Sequence, residues 1–285
     1  MLTLDQAYDR CEEITRAEAR NFSYGIRLLP APKRRAMSAL YAIARRIDDI
    51  GDGDDPDATK LVALAGVRKD VAEVSSDPSA GGDDPVLVAL ADASRRYPIP
   101  MTAIDELIDG CEMDVNGVTY RTFDDLVVYC RRVAGTVGRM SLGVYGCLDP
   151  VRGETLADSL GVALQITNIL RDVVEDRDTM ARIYLPSDDL ERFGCQPDLS
   201  GPAESVAALL SWEAAIAVDW YDRGLQLLPM LDRRSRACTA AMAGIYRRLL
   251  STIQQDPMAV LRGRLALSGP EKAVVAVRAL TMGTA

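Results

Sequence analysis

The sequence predicts an all-α protein, and three observations carry that prediction. Apolar residues recur three and four positions apart through segments of ten to thirty residues. No alternation of apolar and polar residues runs long enough to form a strand. The composition is 48% hydrophobic but only 5% aromatic, with Ala, Leu, Val and Arg recurring throughout, which favours helix over sheet. With 285 residues, no internal repeat and no low-complexity tract, the chain reads as a single domain over 1–285. Roughly ten helices are expected.

Taken in order, Pro30-Ala31-Pro32 opens a long helix through Ala36, Leu40, Ile43, Ile47 and Ile50. Residues 51–57 (GDGDDPD) close it as a loop, and residues 75–85 (SSDPSAGGDDP) form another. Further breaks fall at 97–100, 148–150, Pro186 and 193–202, each separating segments with helical spacing.

The net charge of −9 speaks against a nucleic-acid partner. An acidic chain binds an anionic ligand only where local arginines, lysines or bound cations reverse the field. There is no histidine, which removes Ser-His-Asp and Cys-His nucleophilic schemes and His-ligated zinc. Cys11, Cys111, Cys130, Cys147, Cys195 and Cys238 form no C-x-x-C pair and fit no zinc spacing. They read as buried free thiols of a reducing compartment. The N-terminus lacks the order of a signal peptide, and no apolar run approaches the ~18 residues of a membrane span. The expected location is cytoplasmic, with peripheral contact at the inner face of the membrane left open.

Two segments carry the functional signal. In the first, Tyr41, Arg45, Asp48 and Asp52 fall within about 60° of one another on a helix whose other face holds Leu40, Ile43, Ile47 and Ile50. In the second, Gln165, Asn168, Asp172 and Asp176 form a stripe about 80° wide. The rest of that helix is Leu160, Val162, Leu164, Ile166, Ile169, Leu170, Val173 and Val174, so it is apolar nearly all round and expected to be buried. A lone D-x-x-x-D is weak evidence in a chain with 42 acidic residues. Two like charges one turn apart on a buried helix are harder to dismiss, because they need protons or cations to neutralise them. Hard divalent ions with oxygen ligands answer that need, and Mg²⁺ typically takes one or two carboxylates and completes its shell with water and phosphate oxygens.

Together these residues resemble the squalene and phytoene synthase family. Arg45 with Asp48-x-x-x-Asp52, and Gln165-x-x-Asn168-x-x-Arg171-Asp172-x-x-x-Asp176, are similar to its two aspartate-rich motifs. Tyr129-Cys130-Arg131-Arg132-Val133-Ala134-Gly135-Thr136-Val137-Gly138 resembles the Y-C-x-x-V-A-G-x-V-G signature, and Arg182-x-Tyr184-Leu185-Pro186 resembles the closing R-x-Y-L-P. Asn21-Phe22-Ser23-Tyr24 is similar to S-F-S-Y near the start. Met180-Ala181 departs from the Asn-Gly that many relatives carry before R-x-Y-L-P.

The resemblance implies an isoprenoid-synthase helical bundle around a central hydrophobic cavity, binding two prenyl diphosphates and a cluster of two or three Mg²⁺, with no NADPH. It implies Asp48, Asp52, Asp172, Asp176 and Asn168 at the metal, and Arg45, Arg171, Arg182 and Arg264 on phosphate oxygens. Arg20 is a further phosphate contact, Tyr246 a hydrogen-bond donor, and Gln165 an orienting group. Val133, Val137, Leu164, Ile166 and Leu142 are candidate cavity walls, with core packing as the competing reading. Phe22 and Tyr41 are candidates to stabilise a carbocation through their rings. Tyr41, Tyr129 or the released diphosphate is the expected proton acceptor. Gly135, Gly138, Gly143 and Gly161 serve either close helix packing or room for a polyprenyl chain. Arg45 and Arg171 could equally pair with neighbouring aspartates.

Residues 18–30 and 232–248 resemble bacterial presqualene diphosphate synthases of hopanoid pathways. The expected reaction is therefore head-to-head condensation of two farnesyl diphosphates to presqualene diphosphate. Phytoene synthase, acting on C20 geranylgeranyl diphosphate, and dehydrosqualene synthase are the alternatives within the family. A helical nucleotide pyrophosphohydrolase and a non-catalytic prenyl-diphosphate-binding scaffold are those from other classes. The pathway partner is not legible.

Overall fold

The computed structural model describes residues 2–19 and 21–285. Among them there are fourteen α-helices and no strand: α1 Leu4–Glu18, α2 Phe22–Ile26, α3 Ala31–Asp52, α4 Asp57–Ser76, α5 Pro85–Arg96, α6 Thr102–Val115, α7 Phe123–Cys130, α8 Thr136–Tyr145, α9 Pro150–Thr179, α10 Ser187–Phe193, α11 Ala203–Gly224, α12 Arg233–Gln255, α13 Ala259–Arg262 and α14 Gly269–Met282. The all-α expectation holds, and the excess over ten comes from short elements such as α2 and α13.

Helix starts follow local chemistry. Thr3 caps α1 and Thr122 caps α7, each in a reciprocal box with the residue three further on. Asp84, Asp149 and Asp232 accept from the first free amides of α5, α9 and α12. Proline follows directly after Asp84 and Asp149, where its missing N–H costs nothing.

Two breaks lie where helical spacing continues. Asn116-Gly117, with Gly117 at φ 63°, turns the chain between α6 and α7. Residues Arg131–Gly135 form a single π-helical turn between α7 and α8.

The core has two main clusters. One is built on α1, α3, α4, α5, α6 and α8, and the other on α9, α11 and α12 with Tyr129 and Tyr184. Helix α9 packs against α8, the π turn, α11, α12 and α13. At its closest approach a Cβ on Gly161 would stand 2.6 Å from the Gly135 amide nitrogen and 2.7 Å from the Ala134 carbonyl. One on Gly138 would meet the Ala157 carbonyl at 2.8 Å, and one on Gly143 the Pro98 carbonyl at 2.6 Å. These glycines are therefore packing residues, and of the two readings left open by sequence, helix approach applies. Five of the six cysteines are buried and all are free thiols. Among the described residues no helix is long and apolar enough to cross a membrane.

Candidate active site

The two aspartate stripes sit on the C-terminal parts of α3 and α9. Asp52 is the last residue of α3, and Asp176 lies in the final turn of α9. The chain then reverses at Ala181, which takes a positive φ of 52°, and the Arg182 amide donates to the Asp176 carbonyl at 2.9 Å. From there Arg182 crosses to α3: Nη1 lies 2.6 Å from Asp52 Oδ1 and Nη2 3.1 Å from the Gly51 carbonyl. This ion pair ties the ends of the two helices together across the mouth of one site. The departure at Met180-Ala181 is accommodated by Ala181 itself, in the left-handed conformation that glycine would adopt at less cost.

The remaining arginines are distributed unevenly. Arg45 reaches Asp48 at 2.9 Å and Asp49 at 2.6 Å. Arg171 forms a two-pronged pair with Asp172, and Arg264 Nε adds a contact to the same carboxylate at 3.0 Å. Arg264 also reaches Glu175 at 3.1 Å. Asp176 has no ion pair among the described residues.

Asp48 and Asp176, crowded at this mouth, hold their protons more tightly than usual. Burial, then the charge of Asp52, pushes Asp48 up to about 6, although half of its side chain remains accessible. A group surrounded by protein yet open to solvent stands on the wall of a cleft. Burial, then Asp172, pushes Asp176 up to about 7. Asp48 senses Asp114, and Asp176 senses both Asp114 and Arg182, so the stripes face a common space.

Asp114, on α6, is the residue that sequence reasoning missed. Its two oxygens accept from Tyr129 Oη and Tyr184 Oη, each at 2.9 Å. Burial raises its carboxyl to about 6, against the opposing pull of Arg182 and the two tyrosines. Tyr129 is buried, and burial followed by the charge of Asp114 raises its hydroxyl well above the usual range. It is thus engaged with Asp114 rather than free as a proton acceptor.

Val133, Val137 and Leu164 are half-buried, as are Phe22 and Tyr41. Phe22 and Val133 pack against both core clusters. Leu142 and Ile166, expected as wall residues, are instead buried in the core, at 6% and 1% exposure. Tyr246 is also buried, stacked on Phe22 at 5.8 Å with the Arg171 guanidinium over its ring. Gln165 is half-buried. Arg20 lies outside the described residues.

Among the described residues no three acidic or cysteine side chains converge tightly enough to grip an ion unaided. The donor set nevertheless suits a hard cation bound together with an anionic ligand. It offers Asp176 without an ion pair, Asp48 beside Asp52 with like charges to be neutralised, and Asn168 Oδ1 buried with no hydrogen-bond partner. Arg45 Nε is likewise buried without a partner, leaving a donor for the anion.

The squalene/phytoene synthase family model matches residues 15–271. The chain belongs to that family. Two phytoene synthases, from Mycobacterium bovis and Mycobacterium tuberculosis, are each 50% identical over 98% of this chain and 92% of their own length. The 15-cis-phytoene synthase of Synechococcus elongatus is 34% identical over 93% of this chain and 89% of its own. Among solved structures, a dehydrosqualene synthase superposes with a TM-score of 0.87 at 27% identity, covering 96% of this chain and 95% of that one. Squalene synthase HpnC from Alicyclobacillus acidocaldarius gives 0.79 at 28% identity, covering 88% and 94%. As a squalene/phytoene synthase family member the chain is a prenyltransferase of isoprenoid synthesis with the isoprenoid-synthase helical fold.

Proposed function

We propose that this chain joins two molecules of geranylgeranyl diphosphate head to head, as a phytoene synthase does. The observation that carries the reading is 50% identity to two phytoene synthases over 98% of the chain. In this reading the phytoene synthase alternative takes precedence over the expectation of farnesyl diphosphate and a presqualene product. It drew on local texture at 18–30 and 232–248, whereas the half-identical relatives match nearly end to end.

In this reading Asp48, Asp52, Asp172, Asp176 and Asn168 hold Mg²⁺. When bound, Mg²⁺ supplies positive charge against the departing diphosphate. Arg45, Arg171, Arg182 and Arg264 donate to phosphate oxygens, where preorganised donors help most as the allylic C–O bond breaks. Their present carboxylate partners serve as placeholders that keep them extended. Tyr246 and Gln165 support Arg171 and the bound diphosphate. Val133, Val137 and Leu164 keep water from the allylic cation, which would otherwise be trapped as an alcohol. Phe22 and Tyr41 stabilise it through their rings. The cation attacks the 2,3 double bond of the second substrate, and proton loss closes a cyclopropane that still carries the second diphosphate. The released diphosphate takes that proton. Departure of the second diphosphate, rearrangement and a second proton loss then give the C40 hydrocarbon without a reductant. Tyr41 stays a neutral phenol, since burial pushes its hydroxyl up to about 12.

Incubation with C15 or C20 diphosphate and Mg²⁺, with and without NADPH, followed by mass spectrometry of phosphatase-treated products, tests the proposal. A C40 product from the C20 substrate, independent of NADPH, is expected. Turnover confined to the C15 substrate would return the reading to presqualene diphosphate synthesis, and release of nucleoside monophosphate from nucleotides would move it out of the class.

A further inference from the structure

We propose that Asp114 is a positioning residue of the diphosphate site: through Tyr129 and Tyr184 it fixes the segment that carries Arg182 to Asp52. The proposal rests on reading that mouth as a diphosphate site. Both oxygens of Asp114 are occupied by phenol donors at 2.9 Å, and the two phenol oxygens lie 3.3 Å apart. The rings of Tyr129 and Tyr184 stack at 5.1 Å, and Tyr120 packs on both, at 5.5 Å and 6.3 Å.

The unit joins three parts of the chain. Asp114 belongs to α6, Tyr129 stands two residues before the π turn that carries Val133, and Tyr184 stands two residues after Arg182. The segment after α9 is therefore held at three points: the Arg182 amide on the Asp176 carbonyl, the Arg182 side chain on Asp52 and Gly51, and Tyr184 on Asp114. Remove the third and Arg182 keeps its partners but loses the fixed backbone from which it reaches them. A carboxylate placed near Asp48, Asp52 and Asp176 opposes folding through like-charge repulsion. What Asp114 contributes is the order its two hydrogen bonds impose.

The test is a double-variant cycle on the full chain, read by calorimetry of inorganic pyrophosphate binding in the presence of Mg²⁺ and by kcat and KM with the C20 diphosphate. Asp114→Asn should weaken pyrophosphate binding by roughly tenfold, the effect usual for a group that orients a ligand-binding residue. Arg182→Lys should weaken it at least as much. Because Asp114 acts through Arg182, the double variant should bind within about twofold of Arg182→Lys alone. Tyr184→Phe keeps the ring stack and should lose about threefold. Effects that multiply in the double variant, or Asp114→Asn within about twofold of the unsubstituted chain, overturn the proposal. Should Asp114→Asn fail to fold, Tyr184→Phe with Tyr184→Phe/Arg182→Lys completes the same cycle. An unsubstituted chain that binds Mg²⁺-pyrophosphate but turns over neither C15 nor C20 diphosphate defeats the functional reading, while the binding cycle still decides Asp114. A chain that binds no pyrophosphate defeats both.

Discussion

Helix α9 shows two kinds of contact about 16–23 Å apart along its axis. At Gly161 it meets the π turn backbone to backbone, with no room for a methyl group. At Asp172 and Asp176 it meets charged side chains that do not neutralise one another: one carboxylate has two arginines, the other none. The seam is closed, backbone against backbone, and the mouth is left open, with buried donors and acceptors such as Arg45 Nε and Asn168 Oδ1 unspent. The difference separates what locates the site from what the site does. Substitutions at the mouth should therefore strike activity and spare the fold, and those at the seam the reverse.

The strongest way to break this comparison is to remove the open charges. Asp48→Ala and Asp176→Ala should each lower kcat/KM by about 10²–10³-fold, as loss of a group stabilising transition-state charge does. Far-UV circular dichroism and Tm should stay near those of the unsubstituted chain, since removing one of several crowded like charges does not harm folding. Near-normal turnover in either variant takes that aspartate out of the mechanism.

The two stripes are legible in sequence because they come together with the family's other motifs, and because one of them sets like charges a turn apart on a helix that is apolar nearly all round. Asp114 is not. Asp105, Glu106, Asp109, Glu112 and Asp114 crowd one helix, and no spacing distinguishes the one that meets Tyr129 and Tyr184. Only the fold brings those tyrosines to it. The seam is half legible: glycines at 135, 138 and 161 announce a requirement for small residues, but packing and ligand clearance make the same demand of the sequence. The π turn is hidden, since an inserted residue leaves the apolar spacing on either side intact. Leu142 and Ile166 show the same limit. Apolar side chains on a nearly all-apolar helix do not declare which of them face the core.

Glu213, on α11, sharpens the contrast by combining the burial of a core residue with the charge of the mouth. It is fully buried, and neither carboxyl oxygen finds a donor. Burial, then neighbouring Asp189, holds it up to about 8. A folded-state pKa above the unfolded value means that stability is fully present below about pH 4.5 and declines as the pH rises to about 8. Glu213→Gln should flatten that decline, gaining on the order of a few kcal/mol at pH 9 relative to pH 5. Denaturant unfolding at the two pH values measures it, and an unchanged pH profile would mean that Glu213 is no harder to ionise folded than unfolded.

At the seam, Gly161→Ala forces a methyl against backbone atoms at 2.6–2.7 Å, and backbone yields less readily than the end of a side chain. Overpacking of this kind costs about 1–3 kcal/mol, which in a chain of this size lowers Tm by several degrees. Product length should not change. A variant of normal Tm that makes a shorter product would show instead that Gly161 provides room for substrate.

The smallest effect belongs to the rim. Arg45 bonds Asp49 as well as Asp48, but Asp49 points largely into solvent, with 56% of its side chain exposed. An exposed ion pair contributes about 0–1 kcal/mol. Asp49→Asn should accordingly leave Tm within a degree or two. Its consequence for activity runs opposite to that of Asp48→Ala. With one fewer carboxylate holding it, Arg45 is freer to meet an anion, so KM for the diphosphate should fall slightly or stay level. A large loss of activity in Asp49→Asn would place Asp49 inside the mouth, and the boundary between site and solvent on α3 would have to be drawn one residue further out.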